Sequence, residues 1–229
     1  MHIFLNHIIT KNTPTYGNSS MVGITKSRSI DKGDTSNEHH LEFNNHIGTH
    51  IDAPFHFDNS GKSLDQYPAD FWICNFPVLI QKKFEPKEII TLNKLKDEFS
   101  QLNSNIDCIL LKTGFEIFRP KKEIYSFQNP SIDPEIPIYL RNNFQLKFLG
   151  IDYISISSRE NREMGRNTHK AFLCKSYMEY EFSSSPILLI EDMHLEFLYS
   201  SPRKLYISPL LFENSDGSPV TIIAELEDI

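Results

Sequence analysis

The feature that most constrains this chain is a histidine-rich segment interrupted by residues that break regular structure. Five of the nine histidines lie between His39 and His56, and Gly48 and Pro54 stand among them. Glycine permits left-handed backbone and proline cannot continue a helix, so the segment cannot form one continuous helix. A bent, extended path must carry these side chains, and so dense a group of imidazole rings needs a chemical reason.

The spacing of the histidines indicates a metal site. His46, His50, Asp52 and His56 all fall on even positions. Even positions of an extended segment share one face, so His50 and Asp52 can point at one centre. Two imidazoles and a carboxylate suit a divalent transition metal with positions left open for water. Gly48 would let the backbone bend so that His46 reaches the same ion, and His56 would sit beside it.

The segment resembles the signature of the metal-dependent cyclase/hydrolase family that includes bacterial kynurenine formamidase and isatin hydrolase. The pattern is H-x-G-T-H-x-D-A-P-x-H-F, and each fixed position is present. The resemblance covers nearly the whole chain and extends to the stretches LNHIITKNTPTYGN, GKSLDQYP, ILLKTGF, FLGIDYISIS and DGSPV. It implies one mixed α/β domain over residues 1–229, of the swivelling β/β/α type, in homodimers or larger assemblies.

The resemblance also implies which residues form the site. The expected metal ligands are His46, His50, Asp52, His169 and Glu191, where the last two stand in THKAFL and ILLIEDM. One ion is expected, or two with Asp52 bridging them, and zinc is favoured over manganese for this donor set. Thr49 is expected to orient a ligand or its strand. His56 is the candidate general acid/base, because a reference pKa near 6.5 suits proton transfer at neutral pH.

This chain departs from the family pattern at several positions. The interval from His169 to Glu191 is longer than usual because it contains the stretch CKSYMEYEFSSS. The side chains that compete with Glu191 as a ligand are Glu179, Glu181, Asp192 and His194. Glu191 is still preferred, since it ends an apolar strand where an unpaired charge is costly. Ser157 stands where the family has an acidic residue, and the N-terminal YGN replaces Pro-Gly-Asp.

These groups predict hydrolysis of a non-peptide C–N bond in a small molecule, an amide, formamide or cyclic amide. A divalent ion lowers the pKa of bound water towards neutrality and supplies hydroxide as the nucleophile. Two alternatives remain open. The first is a cyclase or dehydratase of secondary metabolism, and the second is a non-enzymatic protein in which the metal acts as a staple and the inserted stretch blocks the pocket.

The substrate is only weakly indicated. Aromatic side chains near the motif could form an apolar wall for an aromatic amide: Phe55, Phe57, Tyr67, Phe71 and Trp72. An ordinary aromatic core explains each of them equally well. We assign His39 and His40, which lack a spaced carboxylate, to ordinary surface or core positions.

Composition excludes other classes of function. The formal net charge is −7, with 23 Lys and Arg against 30 Asp and Glu, so a dedicated nucleic-acid binder is not expected. The longest apolar stretch, Pro186–Ile190, is too short to span a bilayer. Three cysteines without a C-x-x-C pair suit small buried hydrophobes. We expect a cytoplasmic protein with no membrane or nucleic-acid partner.

Apolar runs predict the order of the main elements. Buried strands are expected at 77–81, 106–113, 146–151 and 187–191, and a helix over 92–99 after Thr91. Residues 161–168 are predicted to form a polar loop, with His169 at the start of a short helix. Buried strands with few helices indicate a mixed α/β fold.

Overall fold

The structure is a computed structural model that describes residues 1–227, and residues 228 and 229 of the predicted domain lie outside it. The strands are β1 (His2–Phe4), β2 (Gly23–Arg28), β3 (Glu38–Glu42), β4 (His50–Asp52), β5 (Ile73–Cys74), β6 (Pro77–Gln81), β7 (Ile89–Ile90), β8 (Cys108–Lys112), β9 (Ser131–Ile132), β10 (Phe148–Ile151), β11 (Ser176–Tyr177), β12 (Tyr180–Glu181), β13 (Leu188–Glu191), β14 (Lys204–Pro209) and β15 (Gly217–Glu225). The helices are α1 (Leu92–Ser100), α2 (Lys122–Tyr125), α3 (Glu135–Asn143) and α4 (Arg162–Leu173).

A parallel group of strands forms one half of the main sheet. β6 pairs with β8, β8 with β10, and β10 with β13, all parallel. Successive side chains of β8 enter different cores: Ile109 and Leu111 pack on the side of the helices, while Cys108 and Leu110 pack on the opposite face. A strand that is buried on both faces needs apolar side chains at successive positions, and this explains the continuous apolar sequence of β8.

An antiparallel group forms the other half, and β4 joins the two. The sheet order is β5-β14-β15-β4-β13-β10-β8-β6, and β1 pairs with β15. β4 is only three residues long and lies between β13 and β15. All three of its residues are buried. The histidine-rich segment therefore enters the centre of the sheet and not its edge.

Helices α1, α3 and α4 contribute to the larger core. Their buried side chains include Leu95, Phe99, Leu140 and Phe172. The predicted loop over residues 161–168 is wrong, because α4 begins at Arg162 and already includes His169 in its third turn. Apart from Met164 and the buried Gly165, the first half of α4 is polar, and its buried apolar side chains begin only at Ala171, so apolar periodicity could not reveal its start.

The predicted mixed α/β architecture is confirmed. β6 and β13 lie where the apolar runs predicted strands, and α1 follows Thr91 as expected. β8 and β10 begin two residues later than predicted. Among the helices of residues 1–227, none combines the length and apolar character that crossing a bilayer requires.

Candidate metal centre

Strand register places three of the predicted ligands side by side. In the pairing of β4 with β13, His50 lies directly opposite Glu191. His50 and Asp52 are two residues apart on β4 and so share one face. Glu191 is the last residue of β13, at the carboxyl end of the parallel strands, where α/β sheets commonly bind ligands. His50, Asp52 and Glu191 are each less than a tenth exposed.

Helix α4 brings the fourth side chain to the same point. His169 is buried, and its Nε2 lies 3.7 Å from Asp52 Oδ2 and 3.8 Å from Glu191 Oε1. On the other side, His50 Nε2 lies 3.5 Å from Asp52 Oδ1 and 3.5 Å from Glu191 Oε2. The two carboxylates thus each present one oxygen to each histidine.

The hydrogen bonds of these histidines fix which nitrogen is free. His50 Nδ1 donates to the Gly48 carbonyl at 2.9 Å, and His169 Nδ1 donates to the Gly165 carbonyl at 2.7 Å. Each Nε2 therefore presents a lone pair towards carboxylate oxygens at distances too long for a hydrogen bond. Ligands on one tetrahedral zinc, bound at about 2.1 Å, lie about 3.4 Å apart, close to the 3.5 Å that separates His50 Nε2 from each of its two carboxylate neighbours.

The electrostatics of the cluster also fit a cation. Burial raises the pKa of Glu191 well above its usual range, and the charge of Asp52 adds to this effect. Burial lowers the pKa of His169 to about 4 and that of His50 in the same direction. His50 and His169 are therefore neutral and offer no positive charge to Glu191, and the cation that compensates Asp52 is the His46 ring. A divalent ion would compensate both acids and accept both lone pairs, so the residues present fit a divalent metal.

His46 and His56 meet on a residue that the sequence did not single out, Asp216. His46 Nδ1 lies 2.8 Å from Asp52 Oδ1, and His46 Nε2 lies 2.9 Å from Asp216 Oδ2. His56 Nδ1 lies 2.8 Å from the same Asp216 oxygen. The rings of His46 and His56 are tilted by 34° with centroids 4.2 Å apart. The first and the last histidine of the motif thus belong to one hydrogen-bonded group around Asp216.

The charge state of His46 follows from its two acidic neighbours. Burial alone would lower the pKa of His46, but Asp52 and Asp216 outweigh it and raise this pKa to about 10. Burial would likewise raise the pKa of Asp52, yet His46 holds it well below its usual range. Hydrogen bonds from His46 and His56 lower the pKa of Asp216. In this geometry His46 is a cation that lies between two carboxylates. To bind a metal, His46 would have to lose a proton and give up its hydrogen bond to Asp52 or to Asp216.

Thr49 connects three segments next to the centre. Its hydroxyl donates to the Asp192 carbonyl at 2.5 Å and accepts the backbone N–H of His7 at 2.9 Å. The residue before it, Gly48, has φ of +58°, in the left-handed region that favours glycine. The bend at Gly48 turns the chain into β4, and Thr49 then ties β4 to the residue that follows Glu191.

The competing ligands point elsewhere. Asp192 accepts Arg119 Nε at 2.9 Å, Arg119 Nη2 at 2.8 Å and Tyr125 Oη at 2.5 Å. His194 bonds to Glu116. Glu179 and Glu181 lie exposed in the hairpin of β11 and β12. Among the five acids and histidines considered for this position, Glu191 is the one adjacent to His50 and Asp52.

A cavity of about 390 Å³ opens above the cluster, lined in part by His46, His50, His56, His169 and Glu191. Of the five aromatic residues considered for its wall, Phe57 lines it. Phe71 and Trp72 instead pack on Phe148 in the opposite core, and Tyr67 packs on those two rings, so for these three the interpretation as ordinary core is right. No residue of the inserted stretch 174–185, all of it described, lines the cavity.

Fold and site together define a mixed α/β protein with a His/carboxylate centre at the carboxyl ends of its parallel strands. The chain belongs to the family described as "Putative cyclase", whose model matches residues 3–158. That match covers the histidine-rich segment, β8 and β10, while His169, Glu191 and Asp216 lie beyond it.

Two bacterial enzymes are similar to this chain in sequence, and one solved structure is similar to it in fold. The chain is 27% identical to kynurenine formamidase of Geobacillus thermodenitrificans over 79% of this chain and 76% of the relative. It is 24% identical to the Bacillus cereus kynurenine formamidase over 96% and 95%. Isatin hydrolase A from Labrenzia aggregata superposes with a TM-score of 0.80 at 17% identity, covering 100% of this chain and 94% of that one. The structural likeness supports the same fold.

Proposed function

We propose that this chain is a metal-dependent hydrolase that cleaves an amide, formamide or cyclic amide C–N bond of a small molecule. One observation carries the proposal. The Nε2 atoms of two buried, neutral histidines each lie 3.5–3.8 Å from oxygens of two buried carboxylates, and an open cavity lies above them. The names of the relatives, kynurenine formamidase and isatin hydrolase, support an amide-directed activity.

The proposed ligands are His50, Asp52, His169 and Glu191, with His46 joining them when it gives up a carboxylate partner. A divalent ion held there would lower the pKa of a bound water and polarise a substrate carbonyl. Asp52 offers one oxygen towards His50 and the other towards His169, so a second ion, if bound, would share Asp52 with the first. Zinc suits this donor set first and manganese second.

His56 is proposed as the general acid/base. Its Nδ1–H donates to Asp216, so Nε2 is the nitrogen that accepts or delivers a proton. The ring lines the cavity and its side chain is 30% exposed, which leaves it accessible to a substrate. Asp216 fixes the tautomer and the orientation of His56, so that one nitrogen faces the departing amine. We therefore describe Asp216 as a positioning residue.

The substrate proposed is a small amide with an apolar part. The cavity volume lies in the range of small-molecule sites. Phe57 and Ile154 give it an apolar surface, and Phe57 stacks on the His169 ring with centroids 4.8 Å apart. One aromatic wall next to the metal centre suits an aromatic amide, and an aryl formamide is the first compound to test.

The test combines elemental analysis with a substrate panel of formamides, lactams and lactones. We expect one or two zinc or manganese ions per chain and turnover in which the product gains one water. His50→Ala should lose both metal and turnover. His56→Ala should keep the metal but lower turnover by about 10²- to 10³-fold, as expected for loss of a general acid/base.

His39→Ala is the matched control, since His39 is exposed on β3 and away from the cavity. It should retain metal content and turnover. Metal-replete protein that is inert across the whole panel would contradict the hydrolase proposal. Undiminished turnover in His56→Ala would instead refute only the role given to that ring. A product that has lost a water would indicate a dehydratase.

A further inference from the structure

A second group of side chains that can bind a metal lies apart from the candidate metal centre. It consists of His7, Glu116 and His194, which come from three distant parts of the chain. One ring nitrogen of each histidine and one carboxylate oxygen of Glu116 all lie within 4.8 Å of one another. The group lines a concavity of about 650 Å³, which shares only Pro14 with the described lining of the cavity above the metal centre. We call this group the His7 site.

The His7 ring presents an unpaired nitrogen to the site. Its Nε2 is buried and has no hydrogen-bond partner within residues 1–227, yet it lies 3.4 Å from Glu116 Oε1. The ring hydrogen-bonds to the backbone of Met193, and since Nε2 has no partner, this bond uses Nδ1. Nε2 therefore carries a lone pair that faces a carboxylate oxygen, an arrangement that calls for a cation between them. Burial lowers the pKa of His7 to about 4, so a proton does not fill that role at neutral pH.

Glu116 is held in an orientation that suits a metal ligand. Its Oε2 accepts the backbone N–H of Leu195 at 2.9 Å, while Oε1 is directed at the two imidazole rings. The side chain is buried, and burial raises the pKa of its carboxyl. Metal-binding carboxylates are commonly fixed by such a hydrogen bond to the oxygen that does not bind the ion. The 3.4 Å from Oε1 to His7 Nε2 also matches the distance of about 3.4 Å between two ligands on one tetrahedral zinc.

His194 supplies the third ligand atom. Its Nδ1 contacts Glu116 Oε1, and the centroid of its ring lies 4.8 Å from that of the His7 ring. The His194 side chain is 30% exposed, so an ion can enter the site from solvent on this side. To bind an ion, His194 would carry its proton on Nε2 and turn the lone pair of Nδ1 towards the metal.

The charged neighbours of the site leave room for a cation. Arg119 lines the same concavity, but its guanidinium donates to both oxygens of Asp192 at 2.8–2.9 Å, so these two charges compensate each other. Lys122 and Glu196, the other charged residues of the lining, carry opposite charges. Within residues 1–227, no lysine or arginine forms an ion pair with Glu116. Its negative charge is therefore available to a metal ion.

We propose that His7 Nε2, Glu116 Oε1 and His194 Nδ1 bind a divalent metal ion, zinc by preference, at a site separate from the candidate metal centre. Two imidazoles and a carboxylate suit zinc, with the fourth position left to water. The ion would link the N-terminal loop, the turn after β8 and the segment after β13. Because these segments are far apart in the chain, only the folded protein assembles the site, and the ion stabilises the fold. The inference does not depend on hydrolase activity.

The first test empties the metal centre and then counts zinc. The metal that His50→Ala is expected to lose is that of the centre, so the His7 site keeps its ion in this variant. Each protein is stripped with a chelator and titrated calorimetrically with zinc chloride. We expect His50→Ala to bind one ion. Adding His194→Gln should weaken that binding by more than about 100-fold, since losing a group that only orients a ligand already costs about 10- to 100-fold.

His40→Gln, also added to His50→Ala, is the control for adventitious zinc, because His39 and His40 are adjacent and exposed on β3. It should leave zinc affinity unchanged. Absence of zinc binding in His50→Ala would overturn the proposal. Loss of the ion with His40→Gln and its retention with His194→Gln would overturn it as well. Equal zinc content of one ion in wild type and His50→Ala would support the His7 site and contradict the proposed catalytic centre.

Two further measurements locate the ion and test its effect on the fold. In zinc-soaked crystals, anomalous density at the zinc absorption edge should lie about 2.1 Å from the three named atoms. Zinc should also raise the Tm of His50→Ala but not that of His50→Ala combined with Glu116→Gln, which keeps the size of the side chain and removes its charge. Absence of density between the three atoms, or an equal rise in Tm in both proteins, would show the proposal to be wrong.

Discussion

Asp216 determines how two of the motif histidines are oriented, although it lies 160 residues from His56 in the chain. One of its oxygens, Oδ2, accepts from His46 Nε2 and from His56 Nδ1. A third donor, Asn45 Nδ2, bonds its other oxygen at 2.7 Å. A carboxylate with three donors has little freedom to rotate, so it can hold both rings in fixed tautomers.

Asp216→Asn should therefore impair proton transfer without emptying the metal centre. The asparagine side chain is neutral and has one acceptor oxygen for the three donors that Asp216 now accepts from, and its NH2 group would face a donor, so the tautomer of His56 is no longer fixed. We expect kcat to fall by about 10- to 100-fold with little change in KM. Removing this anion should also lower the pKa of His46, measurable by NMR titration of the imidazole.

Glu213→Gln gives a control from the same loop, because Glu213 is exposed and takes no part in the group around Asp216. Its kcat should match that of the wild type. If Asp216→Asn lost its metal together with its activity, Asp216 would have to be a ligand and not a positioning residue. If neither property changed, the orienting role would be wrong.

At this scale the sequence predicts some of the candidate centre but not all of it. His46, His50, Asp52 and His56 lie within 11 residues, so their spacing alone suggests a site. Asp216 stands in DGSPV, a stretch recognisable as a turn, but nothing local marks its side chain as a partner of histidine. Its one local mark is that it directly precedes Gly217, the first residue of the strand that pairs with β4. That pairing joins segments far apart in the chain, so the local sequence does not show it.

Strand β4 is the element on which the candidate site depends. It has three residues and is bonded on both sides, to β13 and to β15. Gly217 of β15 lies opposite Asp52, and a Cβ at that position would meet His46 Cε1 at 2.4 Å. Absence of a side chain at position 217 is therefore what allows the His46 ring to lie over the sheet.

Gly217→Ala should displace the His46 ring. Because the added methyl overlaps the half-buried His46 ring and the Ile51 carbonyl, we expect a loss of about 1–3 kcal/mol in the free energy of unfolding, typical of overpacking. Metal affinity and turnover should fall as well, since His46 can no longer bridge Asp52 and Asp216. Urea denaturation and a zinc titration measure the two effects separately.

Gly23→Ala provides the comparison, because Gly23 lies in β2, outside the main sheet, and a Cβ there meets Glu42 at 3.2 Å. It should change metal affinity very little. Wild-type zinc affinity in Gly217→Ala would mean that His46 is not needed to hold the metal. That outcome would leave His50, Asp52, His169 and Glu191 as the complete ligand set.

Elements differ in how well the sequence predicts them, and the reason is burial. β8, β10 and β13 are covered on both faces, so their apolar runs are unmistakable. Helix α4 carries His169 but is polar in its first half, and Gly165 in that half packs against Ser157. A glycine among polar residues indicates a loop, yet here it permits a close contact between helix and chain. Tertiary packing decides the structure of such a segment.

On the scale of the whole molecule, a second group of histidines lies behind the candidate centre. His7 Nε2 lies 3.4 Å from Glu116 Oε1 and 4.0 Å from Asp192 Oδ1, and its ring contacts that of His194 with centroids 4.8 Å apart. Burial lowers the pKa of His7 to about 4, with Arg119 and His194 acting in the same direction and Asp192 opposing them. His7 is thus neutral in the folded protein over most of the accessible pH range.

This lowered pKa predicts how stability depends on pH. Above about pH 7.5, His7 is unprotonated in both the folded and the unfolded state and contributes no pH dependence. As pH falls through 6.5, the unfolded chain binds a proton at this position while the folded protein does not until about pH 4. The free energy of unfolding should therefore decrease on acidification, by up to about 3 kcal/mol from this residue.

His7→Gln isolates that contribution, because glutamine keeps a polar side chain but does not titrate. Urea denaturation of both proteins between pH 7.5 and 4.5, each freed of metal by chelation, gives the difference in their free energies of unfolding. This difference should shift steadily in favour of His7→Gln as the pH falls, since only the wild type has to keep an imidazole unprotonated in its interior. A constant difference would mean that His7 binds its proton equally well in both states, with Glu116 and Asp192 compensating its burial. A shift in the opposite direction would mean that these two carboxylates dominate and that His7 is a cation in the folded molecule.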